Sequence, residues 1–149
     1  MCIRVVPFSS MHLGLMKPDQ FQVRLIRDYP DLRERVIMQS DLGPSGTLLD
    51  SGLVIASFGL CPLHSGVAEA WLWRDSDRAR TKPLTYARLA RRVLCEMATA
   101  MRLHRAQTHV NAQNLSGIRF MIYLDFNREG LLHNYGPDRS DYLIFSRIF

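Results

Sequence analysis

Cysteine is scarce and poorly placed for chemistry. Cys2, Cys61 and Cys95 are the only three. The number is odd, the spacing is wide and no CxxC pair occurs, which excludes a disulfide framework and a cysteine-based zinc site. The five histidines, His12, His64, His104, His109 and His133, show no HxxxH or HxH spacing, so no metal is expected. No apolar run approaches the ~20 residues of a membrane-spanning helix, and the first residues lack the basic-then-apolar layout of a signal peptide. A soluble protein of the cytoplasm is expected. Helix-turn-helix patterning, zinc-finger spacing and an aromatic–glycine RNA motif are also missing, which argues against nucleic acid as the partner.

Apolar residues make up 47% of the 149 and charged residues 22%. That balance predicts one globular domain over residues 1–149, with a core large enough to need no staples. The net charge of +5 is concentrated centrally, on Arg74, Arg78, Arg80, Lys82, Arg88, Arg91, Arg92, Arg102 and Arg105. Such charge attracts phosphate-bearing partners. A nucleotide-tailed cofactor and nucleic acid both qualify, and so does a plain solvated arginine face with no ligand.

Pattern and turn chemistry predict the order of elements. Residues 3–6 read as a strand, and residues 8–16 as a short helix capped by Ser9 or Ser10. Residues 18–28 and 30–39 fit two more helical pieces, and 41–46 a loop. Residues 47–50, 53–60 and 67–73 read as an antiparallel meander, with turns at Ser51-Gly52 and over 61–66. Alternation places Val67, Glu69, Trp71 and Trp73 on one face of the third strand, and Ala68, Ala70 and Leu72 on the other. From Pro83 the period changes. Leu84, Ala87, Ala90, Leu94, Ala98 and Met101 recur at helical spacing, which also makes Cys95 a small core residue. A strand over 106–110, a helix over 115–123 and two strands over 126–134 and 141–149 complete an α+β (mixed α/β) chain built on a sheet.

The last third carries a resemblance. His109-Val-Asn-Ala-Gln-Asn114, followed by Leu115-Ser-Gly-Ile-Arg-Phe-Met-Ile-Tyr-Leu-Asp-Phe126, is similar to the second cofactor motif of the GNAT (GCN5-related N-acetyltransferase) superfamily. There a strand, an asparagine and a helix precede a Gly-Phe pair, for which Asp125-Phe126 stands here. Glu129-Gly130, the turn over 136–138 and Asp141-Tyr-Leu-Ile-Phe-Ser-Arg147 resemble the family's ending. The pieces Leu53-Val-Ile-Ala-Ser-Phe-Gly-Leu60, Ala68-Glu-Ala-Trp71 and Gly117-Ile-Arg-Phe120 resemble a bacteriophage-encoded subgroup that includes small accessory proteins of T7-like phages. The likeness extends over nearly the whole chain and is most specific over residues 114–126.

The resemblance implies a central, twisted, mostly antiparallel sheet of six to seven strands with one splayed parallel pair, flanked by about four helices. It implies acetyl-CoA as co-substrate and an amine as acceptor, either a small molecule or a protein. It also implies a monomer or homodimer, and a phage virion or host protein as a further partner. The pantetheine arm would lie between the strand at 67–73 and that at 106–110. Cofactor contacts would come from Trp73, Arg74, Arg78, Arg80, Lys82, Thr85, Asn111 and Asn114. Glu69 would be the general base, against the alternative of a solvated or arginine-paired glutamate. Trp71, His133 and Tyr135 would border the acceptor. Asn114 has a rival role as a helix cap, Trp71 and Trp73 as sheet core, and His133 as a surface histidine.

Two departures stand out. The family's phosphate loop is Arg/Gln-x-x-Gly-x-Gly/Ala, whereas Arg74-Asp-Ser-Asp-Arg-Ala-Arg-Thr-Lys-Pro83 has no glycine, and Pro83 brings no N–H. Either the arginines replace the backbone nest by bidentate side-chain contacts, or binding is lost. The position five before Phe126, where the family carries an acidic tyrosine, holds Met121, which donates no proton. The implied function is acyl-CoA-dependent N-acetylation. Its alternative is a catalytically degenerate GNAT-fold virion accessory or host-interaction protein.

Overall fold

The computed structural model describes residues 2–149, so Met1 of the expected domain lies outside the described residues. Among them run β1 (Ile3–Val6), a 3-10 turn (Ser10–Leu15), α1 (Gln20–Asp28), α2 (Leu32–Leu42), β2 (Ser45–Asp50), β3 (Leu53–His64) and β4 (Val67–Arg74). A second 3-10 turn (Arg78–Arg80), α3 (Pro83–Ala100), β5 (Arg105–Asn111), α4 (Leu115–Tyr123), β6 (Asn127–Leu132) and β7 (Tyr142–Ile148) follow. The strands form one sheet in the order β1-β2-β3-β4-β5-β7-β6. Every neighbouring pair is antiparallel except β4–β5. This is the mixed α+β architecture the sequence led us to expect.

Local chemistry sets the ends of these elements. The Asp19 carboxylate accepts from the N–H of Phe21 and Gln22, and Gln22 answers onto the Asp19 N–H, so α1 starts on a capping box. Ser9 and His12 do the same for the first 3-10 turn. Pro83 opens α3, where its missing N–H costs nothing. The β2–β3 hairpin turns on Ser51 and Gly52, both at positive φ, as a two-residue turn requires.

Two boundaries differ most from expectation. Residues 41–46 are not a loop: α2 runs to Leu42 and β2 begins at Ser45. The turn expected over 61–66 is shorter, because β3 continues through Pro62 to His64 around a bulge in its pairing with β4. Cys61 is therefore a buried strand residue, while Cys95, the expected core cysteine, is only half-buried.

The sheet is sandwiched. On one face α2 and the first 3-10 turn pack through Leu13, Met16 and Val36 onto Val54 and Trp73. On the other, α3 and α4 pack through Leu94, Ala98, Met121 and Leu124 onto Leu60, Ala68, Ala106 and Phe145. Arg88, Arg91, Arg92 and Glu96 lie on the solvent side of α3.

Candidate active site at the strand fork

Strands β4 and β5 pair at three positions only, Val67–Arg105, Ala68–Ala106 and Glu69–Gln107. Beyond them each strand stays bonded to its outer neighbour, β3 or β7, but not to the other. The inner edges of residues 70–74 and 108–111 are thus free of strand pairing. On the cleft side of the apex Thr108 Oγ1 donates to the Ala70 carbonyl at 3.0 Å. Parallel pairs need no shared turn, so the two strands can part without disturbing the β3–β4 or the β5–β7 pairing.

On the α3 side the fork opens into a cleft of about 600 Å³, within the range of small-molecule sites. Its floor and roof are apolar. Its mouth carries Arg74, Arg80, Ser116 and Arg119. Arg74 reaches across it, donating to Ser116 Oγ at 3.1 Å and lying 3.5 Å from Asp19. The side chains of Arg80 and Arg119 are exposed, with no hydrogen bond or ion pair to another described residue.

The N–H groups of residues 75–81, in the loop between β4 and α3, are spent within the fold. Asp75, 3% exposed, accepts from the N–H of Lys17 at 2.9 Å, Asp77 at 3.1 Å and Arg78 at 2.8 Å. Burial opposes its charge, but these three donors outweigh burial and hold the carboxyl below the usual carboxylate range. The N–H groups of Ala79, Arg80 and Thr81 go to carbonyls within the loop. A carboxylate of the chain itself therefore occupies the position of an anion bound by a backbone nest.

Two of the expected phosphate-binding cations are engaged within the fold. Arg78 Nη1 donates to the carbonyls of Leu15 at 3.1 Å and Val54 at 3.0 Å, tying the loop to the first 3-10 turn and β3. Lys82 and the Tyr86 hydroxyl both donate to Asp50. The lysine contact, with the tyrosine's behind it, holds the Asp50 carboxyl down. Thr85 is exposed on the first turn of α3.

The remaining cofactor candidates face other tasks. Asn114 Oδ1 accepts from Gly117 N at 3.0 Å, which is the capping role. Asn111 is buried, with its amide bonded to Gln113 N and Ser140 Oγ. Trp73 is buried against Leu13, Met16 and Val36, and Trp71 packs edge-on to Phe8. Trp71 lies over Gly59, where a Cβ would sit 2.6 Å from its Nε1; both tryptophans thus act as sheet packing. Met121 is buried in the α4 core. Tyr123 is half-buried beside it, under the Arg91 guanidinium.

On the opposite face stands a second cluster. Glu69, at the last paired register before the fork, has Oε1 3.1 Å from His109 Nδ1. An ionised carboxylate only accepts, so against ionised Glu69 it is His109 Nδ1 that carries the hydrogen. The Tyr135 ring stacks on His109 with centroids 4.9 Å apart, and Tyr142 abuts Tyr135. Burial, then the charge of Glu69, pushes the Tyr135 phenol above its ordinary range. The same two influences, in the same order, raise the thiol of Cys61, which pairs with Glu69 across β3–β4. The structure brings Glu69 and Tyr135 together through His109. It does not bring His133 to them: that side chain is exposed and pairs with Asp141 at 3.3 Å.

Sequence reasoning missed His109, Thr108, Ser116, Arg119 and Asp75. Arg119 lies five residues past the Asn114 cap, so helical spacing alone put it near the mouth. His109 gave no local signal, because parallel pairing joins residues forty apart.

Among the described residues no group of His, Cys, Asp and Glu is arranged to hold a metal ion, and no helix is long and apolar enough to cross a membrane. Solved structures share the fold along nearly the whole chain. An N-acetyltransferase from Staphylococcus aureus Mu50 matches with 15% identity over 99% of each chain and a TM-score of 0.73. A GNAT family acetyltransferase from Elizabethkingia anophelis, solved with acetyl-CoA bound, matches with 11% identity over 99% of this chain and 98% of that one, TM-score 0.71. The spermidine N-acetyltransferase of Vibrio cholerae matches with 16% identity over 98% of this chain and 93% of that one, TM-score 0.70. No family model and no curated protein matches the sequence. At these identities the likeness shows the GNAT fold.

Proposed function

We propose that the chain is an acyl-CoA-dependent N-acyltransferase, moving an acyl group from the coenzyme A thioester to an amine. The observation that carries this reading is the fork itself, with Glu69 at its apex, an apolar cleft on one face and a titratable cluster on the other. The residues present fit an acyl-CoA. The free inner edges of residues 70–74 and 108–111 offer backbone partners to the amides of a pantetheine arm. Arg80 and Arg119 offer charge to its phosphates by side chain, in place of the backbone nest that Asp75 fills.

The thioester supplies an activated carbonyl. The amine nitrogen bonds to that carbon, the C–S bond breaks with its electron pair on sulfur, and the products are an amide and a thiol. Glu69 takes the proton the amine loses. His109, donating through Nδ1, aims that carboxylate. Tyr135 braces His109 by stacking. The thiolate leaves with a proton from solvent, since Met121 supplies none.

A second reading keeps the fold and drops the chemistry: a GNAT-fold accessory or host-interaction protein of a tailed phage. The filled phosphate loop and Met121 favour it, and the phage-like segments of the sequence supply its context.

Calorimetric titration of acetyl-CoA and free CoA separates the two. Saturable binding supports the transferase, and no heat at millimolar ligand removes it. With an acceptor found from an amine panel, Glu69→Gln should lower kcat by about 10²–10⁴-fold with KM for the thioester little changed. Full turnover in that variant removes Glu69 as base.

A further inference from the structure

Glu69 can serve any amine that reaches it, and the chemistry around it selects which. Helix α2 lies on the same side of the sheet and packs Leu32 and Val36 onto Val54 and Trp73. Arg35, three residues from Leu32 and one from Val36, sits on the flank of that buried face. Its side chain is nevertheless exposed. The flank is the one toward Glu69. Burial and then the charge of Glu69 raise the Cys61 thiol and the Tyr135 phenol, and the charge of Arg35 opposes both. Charge is felt only at short range in salt solution. A cation that acts on Cys61, in β3, and on Tyr135, in the β6–β7 turn, therefore overlooks β4 and β5, where Glu69 and His109 lie.

Arg35 is oriented but not neutralised. Its Nη1 donates to the Tyr29 hydroxyl at 3.3 Å. Among the described residues no carboxylate pairs with it, and its Nε–Nη2 edge has no acceptor. That edge suits a two-oxygen planar anion. The acids of the β6–β7 turn, by contrast, are spent. Asp138 accepts from the N–H and the hydroxyl of Ser140. Asp141 accepts from the Asn134 N–H at 3.0 Å and lies 3.3 Å from His133. The turn thus has no free carboxylate for a second cationic group on the acceptor, whereas an acceptor carboxylate would meet an unused guanidinium edge.

Building on the acyltransferase reading, we infer that the acceptor is a small amine that also carries a carboxylate, an amino acid in the broad sense, with Arg35 binding the carboxylate while the amine faces Glu69. Arg35 then determines specificity: it holds the end of the acceptor that does not react, and a plain amine of the same size is the poorer substrate.

The test is thiol release from acetyl-CoA by the full chain, on matched pairs that differ by one carboxylate: phenylalanine against phenethylamine, 4-aminobutyrate against propylamine, and 6-aminohexanoate against pentylamine. In at least one pair kcat/KM should favour the acid by about tenfold, the worth of one charge-assisted contact at a partly solvated site. The preference should shrink in high salt. Arg35→Gln should cut it by about tenfold, chiefly through the KM of the acid, and Arg35→Lys should restore part of it. Turnover of the plain amines that equals or exceeds that of the acids overturns the inference and leaves the acyltransferase reading intact. So does a preference for acids that persists in a folded Arg35→Gln protein. Turnover of no member also overturns the inference, and the acetyl-CoA titration then decides the reading separately, since absent binding removes both. The wild-type pairs decide the matter if the variants do not fold.

Discussion

Arg78 and Arg80 are two residues apart and look interchangeable in the sequence, but the structure gives them opposite duties. Arg78 donates to two carbonyls, one in the first 3-10 turn and one in β3. Arg80 faces the cleft mouth. Hydrogen bonds from a charged donor are each worth about 1.5–3 kcal/mol. The Arg78 side chain is 36% exposed, so water replaces part of that, and its loss should cost about 1–3 kcal/mol in all. For a domain of this size each kcal/mol moves the melting temperature by about 2–4 °C. Arg78→Ala should therefore melt about 2–12 °C below wild type. Arg80→Ala should melt within about a degree of wild type, because it removes a solvated side chain. Against a CoA thioester the order reverses. Arg80→Ala should weaken binding by about three- to tenfold, the worth of one exposed charge-assisted contact, and the loss should shrink in high salt. Scanning calorimetry and ligand titration of the two variants settle the matter. Equal destabilisation by both, or unchanged stability with lost binding in Arg78→Ala, would refute the division of labour.

Gly59→Ala places a Cβ 2.6 Å from Trp71 Nε1 and 2.8 Å from the Pro44 carbonyl; neither the strand backbone nor a packed indole yields easily, so unfolding in urea should show a loss of about 1–3 kcal/mol. Asp75 and Asp50 both have carboxyls held below their unfolded values. Their ionised forms thus stabilise the fold above pH ~4, and that stability is lost as pH falls through the lowered values. Asp75→Asn should melt lower than wild type at pH 7, with the two curves converging in acid. A gap that stays constant down to pH 2 would show that charge is not the cause.

Much of the architecture was legible because it is written in short-range patterns. The 3.6 period of α3, the Ser51-Gly52 turn and the Asn114 cap each announce themselves within a few residues. The three-strand meander followed from its turns, and the parted parallel pair from resemblance. What escaped was long-range. Cys61-Pro62 reads as a turn, yet pairing with Glu69 and Ala68 keeps it in strand. Arg78 and Lys82 read as phosphate ligands because Leu15, Val54 and Asp50, their actual partners, are distant in sequence. Glu69 was a candidate from its strand position in the resemblance, but its partner His109 is forty residues away and is met only across the β4–β5 pair.

The carboxylate of Asp75 has one more effect. A glycine-rich loop that wraps phosphates is commonly set in shape by what it wraps, and part of the binding energy goes into that ordering. This loop carries its own counter-anion and is already set. Whatever approaches the arginines meets a rigid rim, so association should be governed by diffusion and charge rather than by a folding step, and the melting point should respond to ligand only as mass action dictates.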